Sequence, residues 1–267
     1  MNWWTSVVSM EFRKLIAYRT DFWITLTGQV FINLTIARAL WQSVFETQQT
    51  QVMEGFTLET MTLYYVCIVV GNRVMNGENI GFISREIYEG TFSRYLLYPL
   101  SVFQYKTLTY LTHSAFYAMM LILVYSLYHL IFVPGPLGLI GIGNLLIGTW
   151  LFFFSAAIYV LMSMMVELLA LWAENIWSLM VMLRFFTTFF GGGLVPLAFF
   201  PHWAREILQF TPFPYLLSLP VKTILGMTSA TEILSGMGIL VLWGLFFAGV
   251  VKLMWSVGQK SYSGVGV

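Results

Sequence analysis

The run LIGIGNLLIGTWLFFFSAAIYVLMSMM, residues 139–165, contains no charged residue. At about 1.5 Å of rise per helical residue, a run of this length crosses the hydrocarbon core of a bilayer, which is about 30 Å thick. The whole chain has 267 residues, of which 58% are hydrophobic and 9% are charged. A water-soluble domain carries about 25% charged residues, so this composition predicts an all-α, polytopic membrane protein.

Five further apolar runs surround this one, and together they predict a bundle of six transmembrane helices. These runs cover residues 22–44, 61–74, 105–132, 176–195 and 233–255. Pro134 and Pro136 flank Gly135 and predict a tight turn between the third and fourth spans, because no helix continues through them. The spans and their connections make up a single predicted transmembrane domain over residues 1–267.

The N-terminal residues 3–20 predict an interfacial helix that lies on the cytoplasmic leaflet. Trp4, Val8, Phe12, Leu15 and Ile16 recur at helical spacing, and most polar side chains lie off that stripe. The alternative is an extension of the chain that is simply exposed to water.

The distribution of lysine and arginine predicts that both chain ends are cytoplasmic. Nine basic residues then lie at or near the cytoplasmic face: Arg13, Lys14, Arg19, Arg73, Arg85, Arg94, Lys106, Lys252 and Lys260. Only Arg205 and Lys222 fall clearly outside, while Arg38 and Arg184 lie within spans. The opposite topology would place the nine basic residues on the outer side.

The segment after the fifth span is too broken to cross a membrane and too apolar for an ordinary free loop. It is interrupted by small and rigid residues: Gly191, Gly192, Gly193, Pro196, Pro201, Pro212, Pro214 and Pro220. We expect residues 196–230, the outer segment, to form two short helices near 202–210 and 215–225 that re-enter the outer leaflet. The alternative is a surface loop that lies on the lipid headgroups.

A dense charged patch lies between the second and third spans, in residues 77–104, which we call the polar island. Four of its charged residues lie close together, namely Arg85, Glu86, Glu89 and Arg94, and Pro99 closes the island before the next apolar run. Helical spacing of Ile80, Ile83 and Ile87 predicts a short helix along the membrane, with Arg85, Glu86 and Glu89 facing a partner. We expect Gly90 to end that helix in a sharp turn and Thr91 to cap the next one. The alternative is a solvated loop.

Several kinds of chemistry are missing from the sequence. It has no Gly-x-x-x-x-Gly-Lys-Ser/Thr loop, no His-Glu-x-x-His and no Gly-x-Ser-x-Gly. One cysteine and three scattered histidines offer no metal-ligand spacing, and a net charge of +1 argues against a nucleic-acid partner. We therefore predict no catalytic, cofactor-binding or metal-binding residue. The acidic residues lie near span ends, which favours an energy source outside this polypeptide.

Two short motifs resemble the permease subunits of ABC-2 type exporters. The first is Glu86-x-x-Glu89-Gly90-Thr91 followed by Leu96-Leu97-x-Pro99, and the second runs from Phe200-Pro201 through Pro212-x-Pro214-Tyr215-Leu216. The order of spans, island and outer segment also resembles that family, and most closely its divergent branch of paired permeases.

This resemblance implies the membrane subunit of an ATP-driven exporter in a bacterial cytoplasmic membrane, embedded among membrane lipids. A second permease, identical or related, would complete the translocation pathway, and two copies of a separate ABC ATPase would bind ATP and magnesium. The ATPase would dock on Arg85, Glu86, Glu89, Gly90, Thr91, Arg94 and Pro99. The implied cargo is an amphiphilic drug, a lipid or a lipid-linked glycan.

Arg184 is a charged residue inside the fifth predicted span, where an arginine costs about 2.5–3.5 kcal/mol to insert. One hypothesis places it in the cleft between two permeases, paired with Glu174 or Glu167 and flanked by Phe185 and Phe189. The alternative is a structural or snorkelling arginine. Two rival functions also stay open: an integral membrane enzyme that modifies lipids, and a non-transporting scaffold of an envelope complex.

Overall fold

The computed structural model describes residues 3–17, 19–77, 82–92, 95, 98, 100–132, 139–173 and 175–259. This part of the chain is helical apart from turns and one isolated β-bridge between Met53 and Phe56, which confirms the all-α prediction. The helices are α1 (Trp3–Ala17), α2 (Arg19–Gln48), α3 (Leu58–Asn76), α4 (Phe82–Tyr88), α5 (Val102–Phe132), α6 (Leu139–Glu167), α7 (Trp177–Phe190), α8 (His202–Leu208), α9 (Phe213–Leu216), α10 (Ser218–Ile224) and α11 (Ala230–Gly258).

Among the residues that the structure describes, three stretches of helix are long and apolar enough to cross a membrane: Val102–Leu127, Gly141–Leu171 and Ala230–Gly258. They correspond to the third, fourth and sixth predicted spans. The fifth, α7, is apolar but has only 14 residues, a length of about 21 Å. The protein is therefore a multi-pass helical membrane protein, and the count of six spans is not confirmed.

Side-chain caps fix where two of the long helices begin. At α3, the Thr60 amide donates to the Thr57 hydroxyl at 3.2 Å, and the Thr57 amide donates to Thr60 Oγ1 at 2.8 Å. Ser229 and Glu232 form the same reciprocal arrangement at α11. Such capping boxes satisfy amide groups that the first turn of a helix leaves unpaired. Because of this cap, α11 begins at Ala230, three residues before the predicted span.

Helix α3 is the centre of the bundle and packs against α2, α5 and α6. Its Tyr64, Cys67 and Val70 side chains are fully buried. Gly71 permits the closest approach to α6, because a Cβ at this position would lie 2.2 Å from Phe152 Cζ. A small residue at a helix contact is the usual way in which membrane helices gain packing without a hydrophobic driving force.

The outer segment packs into the bundle. Helix α10 lies against α6 and α3, and its Val221 and Ile224 side chains are buried. A Cβ at Gly148 of α6 would lie 2.8 Å from the carbonyl oxygen of Pro220, so the two backbones are in close contact. At the other end of the chain, α1 packs along α5, where the Phe12 and Phe116 rings meet edge to face at 5.9 Å.

Candidate coupling site and membrane-embedded polar cluster

The polar island contains the short helix α4, which presents one ion pair to solvent. Arg85 Nε lies 2.7 Å from Glu89 Oε1, and both side chains are exposed. Ile87, on the other side of the helix, is buried. Gly90 follows with a φ of +71°, a conformation that L-residues with a side chain rarely adopt, and turns the chain out of α4. The exposed Arg85–Glu89 pair and this turn form the accessible part of the island.

Glu86 lies on the inward side of α4, which corrects the expectation that it faces a partner. The residue is 5% exposed, and the Tyr95 hydroxyl donates a hydrogen bond to Oε1. Lys106 Nζ, on α5, lies 3.0 Å from Oε2 and 3.1 Å from Oε1. The ammonium group is also 4.9 Å from the centre of the Tyr95 ring. A buried carboxylate requires such a partner, so Glu86 fastens the island to α5.

The island also touches the ends of two long helices. Helix α4 packs against the 3₁₀ turn Leu168–Leu171, which continues α6. The Trp255 ring, near the end of α11, lies 6.1 Å from Phe92 and 4.9 Å from Phe103. A displacement of α4 would therefore be passed directly to α5, α6 and α11.

Helix α7 carries Arg184 at the border between its packed face and its exposed face. Met180 and Thr187, one turn before and after, are buried, whereas Arg184 and Val181 are exposed. Arg184 lies within electrostatic reach of the hydroxyls of Tyr110 on α5 and Tyr159 on α6. Within the described part of the chain, it forms no ion pair.

The other residues predicted for the cleft are spread over two helices. Phe185 is exposed and stacks on Phe189, with ring centres 5.7 Å apart. Phe189 in turn lies 5.4 Å from Phe200 of the outer segment. Glu167 is buried at the end of α6, where it acts on the Tyr159 hydroxyl electrostatically. The structure thus brings Arg184 to two tyrosines that the sequence did not single out.

Three consecutive glycines follow the end of α7 and are held by α3. The Tyr64 hydroxyl donates to the carbonyl oxygen of Gly192 at 2.8 Å, and the Tyr65 hydroxyl donates to that of Leu194 at 2.9 Å. Gly192 has a φ of +83°, and a Cβ at Gly191 would lie 2.3 Å from the Thr187 carbonyl oxygen. Only glycine fits this turn, which is why α7 stops short of the predicted span end.

Part of the outer segment contacts α11 and α6 near the middle of these two long helices. Trp243, close to the midpoint of the 29-residue α11, donates its indole N–H to the Phe210 carbonyl oxygen at 2.9 Å. Ser155, in the second half of α6, donates to the Tyr215 carbonyl oxygen at 3.3 Å. Prolines lie at the starts of the short elements in the outer segment. Pro196 precedes a 3₁₀ turn, Pro201 precedes α8, and Pro212 and Pro214 lie at the start of α9.

The comparison with protein families matches residues 30–266 to the family described as ABC-2 family transporter protein. The chain belongs to the ABC-2 transporter family. The searches among curated proteins and among solved structures gave no match. As a member of this family with long apolar helices, the chain is a multi-pass membrane permease of an ABC exporter.

Some residues that were expected to carry the function of this ABC-2 permease lie outside the described residues. These are Arg94, Pro99 and Glu174, together with Ile80, the proline turn at 134–136 and Lys260. Thr91 is described and lies half-buried directly after the Gly90 turn.

The ABC-2 permease has a second ion cluster, at the contact of α1 with α5, that sequence reasoning missed. Glu11 is 3% exposed, lies 2.9 Å from Lys14 Nζ and is 3.4 Å from His113 Nε2. Burial raises the pKa of Glu11, but the hydrogen bonds and charges of His113 and Lys14 outweigh it and leave the pKa below its usual value. A usable signal was the position of Glu11 between Val7 and Leu15 on the buried stripe of α1.

Proposed function

We propose that this ABC-2 permease forms half of the passage of an ATP-driven exporter and takes its energy from a separate ATPase that docks on α4. The observation that carries the proposal is that the charged residues of α4 and the turn after it differ in exposure. Arg85 and Glu89 are exposed and free to meet a partner, while Glu86 is buried against Lys106. A surface that receives force must be accessible on one side and fixed on the other.

The contacts of α4 support this role. Because the island touches α5, the end of α6 and the end of α11, an ATPase that moves α4 would move three long helices together. The permease would bind no nucleotide itself. ATP and magnesium would be held by two copies of the ATPase, one for each permease.

The complete transporter would contain a second permease, either a copy of this chain or a related one. Exposed apolar side chains on α2 and α7, such as Phe31, Ile36 and Phe185, require a cover of lipid or of a second protein. We propose that the passage forms between the two permeases. The cargo would be an amphiphilic drug, a lipid or a lipid-linked glycan, and both chain ends would face the cytoplasm of a bacterial cell.

Purification tests the proposal most directly. The tagged permease, extracted in mild detergent from its native membrane, should retain a protein that has a Gly-x-x-x-x-Gly-Lys-Ser/Thr loop and hydrolyses ATP. Mass analysis identifies that protein, and its amount per permease gives the stoichiometry. A permease that comes out without any ATPase, while still paired with another membrane chain, would contradict the proposal.

Glu89→Lys then tests the docking surface. It places two cations side by side on α4 and should lower the retained ATPase at least severalfold. Glu206→Lys is the matched control, because Glu206 is also an exposed acid that is paired four residues away, and it lies on α8 in the segment assigned to the outer side. Equal ATPase retention by both variants would mean that α4 is not the docking surface.

A further inference from the structure

The region between α5, α6 and α7 contains two buried hydroxyl groups that have not been given a role. Tyr110 is 3% exposed and Tyr159 is 0% exposed. Among the described residues, the Tyr110 hydroxyl has no hydrogen-bond partner, and the Tyr159 hydroxyl has Arg184 as its polar neighbour. A buried hydroxyl without a partner costs about 1–3 kcal/mol, so Tyr110 indicates a polar group that is held there when the protein works.

The third member of the cluster is a cation. Arg184 lies within electrostatic reach of both hydroxyls, and the Tyr110 and Tyr159 hydroxyls also act on each other. A guanidinium and two phenolic O–H groups together supply several hydrogen-bond donors. This set of donors matches the oxygen atoms of a phosphate group, which accept hydrogen bonds from arginine in a bidentate manner.

The depth of the cluster points to the source of that phosphate. Counted from the helix ends that the proposed orientation places at the cytoplasm, each of the three residues lies about 10–12 Å along its helix. Such a depth lies within the inner leaflet, just inside the headgroup layer. Glu167, which also acts on Tyr159, is two turns nearer the cytoplasmic end of α6.

The surface beside Arg184 is apolar and open. Trp177 and Val181 precede Arg184 on the same stripe of α7, and they are 72% and 46% exposed. An acyl chain could lie along this stripe while its phosphate reached the buried tyrosines from the side. The arrangement therefore fits an amphiphile better than a soluble anion.

We propose that Arg184, Tyr110 and Tyr159 form a binding site for the phosphate group of an anionic amphiphile. The inference rests on the proposed export function in one respect, since it names the class of cargo that would enter the passage. The site itself is a property of the permease alone.

Native mass spectrometry of the purified permease tests the site without any ATPase. The chain is titrated with phosphatidylglycerol or with phosphatidylcholine of the same acyl chains. Wild type should retain phosphatidylglycerol preferentially, and Arg184→Gln should weaken that retention about tenfold, because a charge-assisted contact is lost. Arg38→Gln removes the same charge from α2 and should leave the preference unchanged.

A second variant, which changes no charge, tests the site even if the loss of Arg184 impairs folding. The double variant Tyr110→Phe, Tyr159→Phe keeps the packing and should lower phosphatidylglycerol retention severalfold, while Tyr65→Phe, whose hydroxyl bonds the protein backbone, should not. Displacement of the lipid by millimolar inorganic phosphate would identify the bound phosphate as a soluble one, whereas resistance identifies a lipid headgroup.

Equal retention of the two lipids by wild type would overturn the site, as would equal losses in the Arg184 and Arg38 variants. Both results concern the isolated permease, so they would leave the ATPase-docking proposal standing.

Discussion

Glu86 and Lys106 form a buried ion pair whose members are 20 residues apart in the chain, on α4 and α5. Lys106 is 13% exposed at its side chain and Glu86 is 6% exposed, so neither charge is well hydrated. Removal of one partner of such a pair leaves the other charge buried and uncompensated, and this costs more than the pair itself contributes.

Glu86→Ala is therefore expected to destabilise the permease by about 3–5 kcal/mol, seen as a marked fall in the melting temperature in detergent. Glu89→Ala, three residues further along the chain and directly after α4, should change stability by less than about 1 kcal/mol because its ion pair is exposed. If the two variants melt at the same temperature, Glu86 does not fasten the island.

Glu11 provides a prediction about pH. Its pKa in the folded protein lies below the usual value of 4.5, so its contribution to stability is fully present above pH 4.5 and is lost as the pH falls through the lowered pKa. Hydrogen exchange of the α1 amides, corrected for the intrinsic rate, should accelerate over that acidic range. Glu11→Gln should flatten the profile, and an unchanged profile in this variant would exclude Glu11 as the cause.

The sequence could not predict either of these pairs, although it named Glu86. Helical spacing showed that Arg85, Glu86 and Glu89 share a short helix, but it could not show which side of that helix faces α5. The partner Lys106 was assigned only to the cytoplasmic face, and His113 was only one of three scattered histidines without metal-ligand spacing. Long-range pairing of this kind depends on tertiary contacts, which a single sequence does not record.

The contact between helices α3 and α6 depends on Gly71, which has no side chain. Gly71→Ala would push a methyl group into the Phe152 ring, and overpacking of this kind costs about 1–3 kcal/mol. The expected result is a lower melting temperature. Gly249→Ala on α11 is the control, since a Cβ there would meet nothing within 4 Å and should be neutral or slightly stabilising.

Element boundaries were predictable where backbone chemistry sets them. The three glycines after α7 and the prolines of the outer segment marked breaks that the structure places at Phe190, Pro201 and Pro212. The predicted helix at 215–225 is instead divided into α9 and α10, because the backbone bends at Leu217. The first two predicted spans, α2 and α3, are not among the three stretches that are apolar enough to cross a membrane. They carry charged and amide side chains, which make them less apolar than α5, α6 and α11.

For the molecule as a whole, the structure predicts that Phe210 lies near mid-membrane depth even though it belongs to an irregular connection. Its carbonyl accepts from Trp243, near the middle of α11, and its ring is 73% exposed. A nitroxide at Phe210→Cys should therefore collide with oxygen more often than with a water-soluble nickel complex. A label at Val257→Cys, near the end of α11, should show the reverse, and a water-exposed label at position 210 would contradict the re-entrant path.

Four side chains from three helices hold the backbone of residues 192–215: Tyr64 and Tyr65 on α3, Ser155 on α6 and Trp243 on α11. The backbone cannot move away at Gly192, Leu194, Phe210 or Tyr215 without breaking one of these hydrogen bonds, which is costly within a membrane. In the exporter proposed above, these bonds would oppose an exit through the interior of a single chain. Cargo would then travel along the flank of the permease, and the outward gate would open by the separation of two permeases.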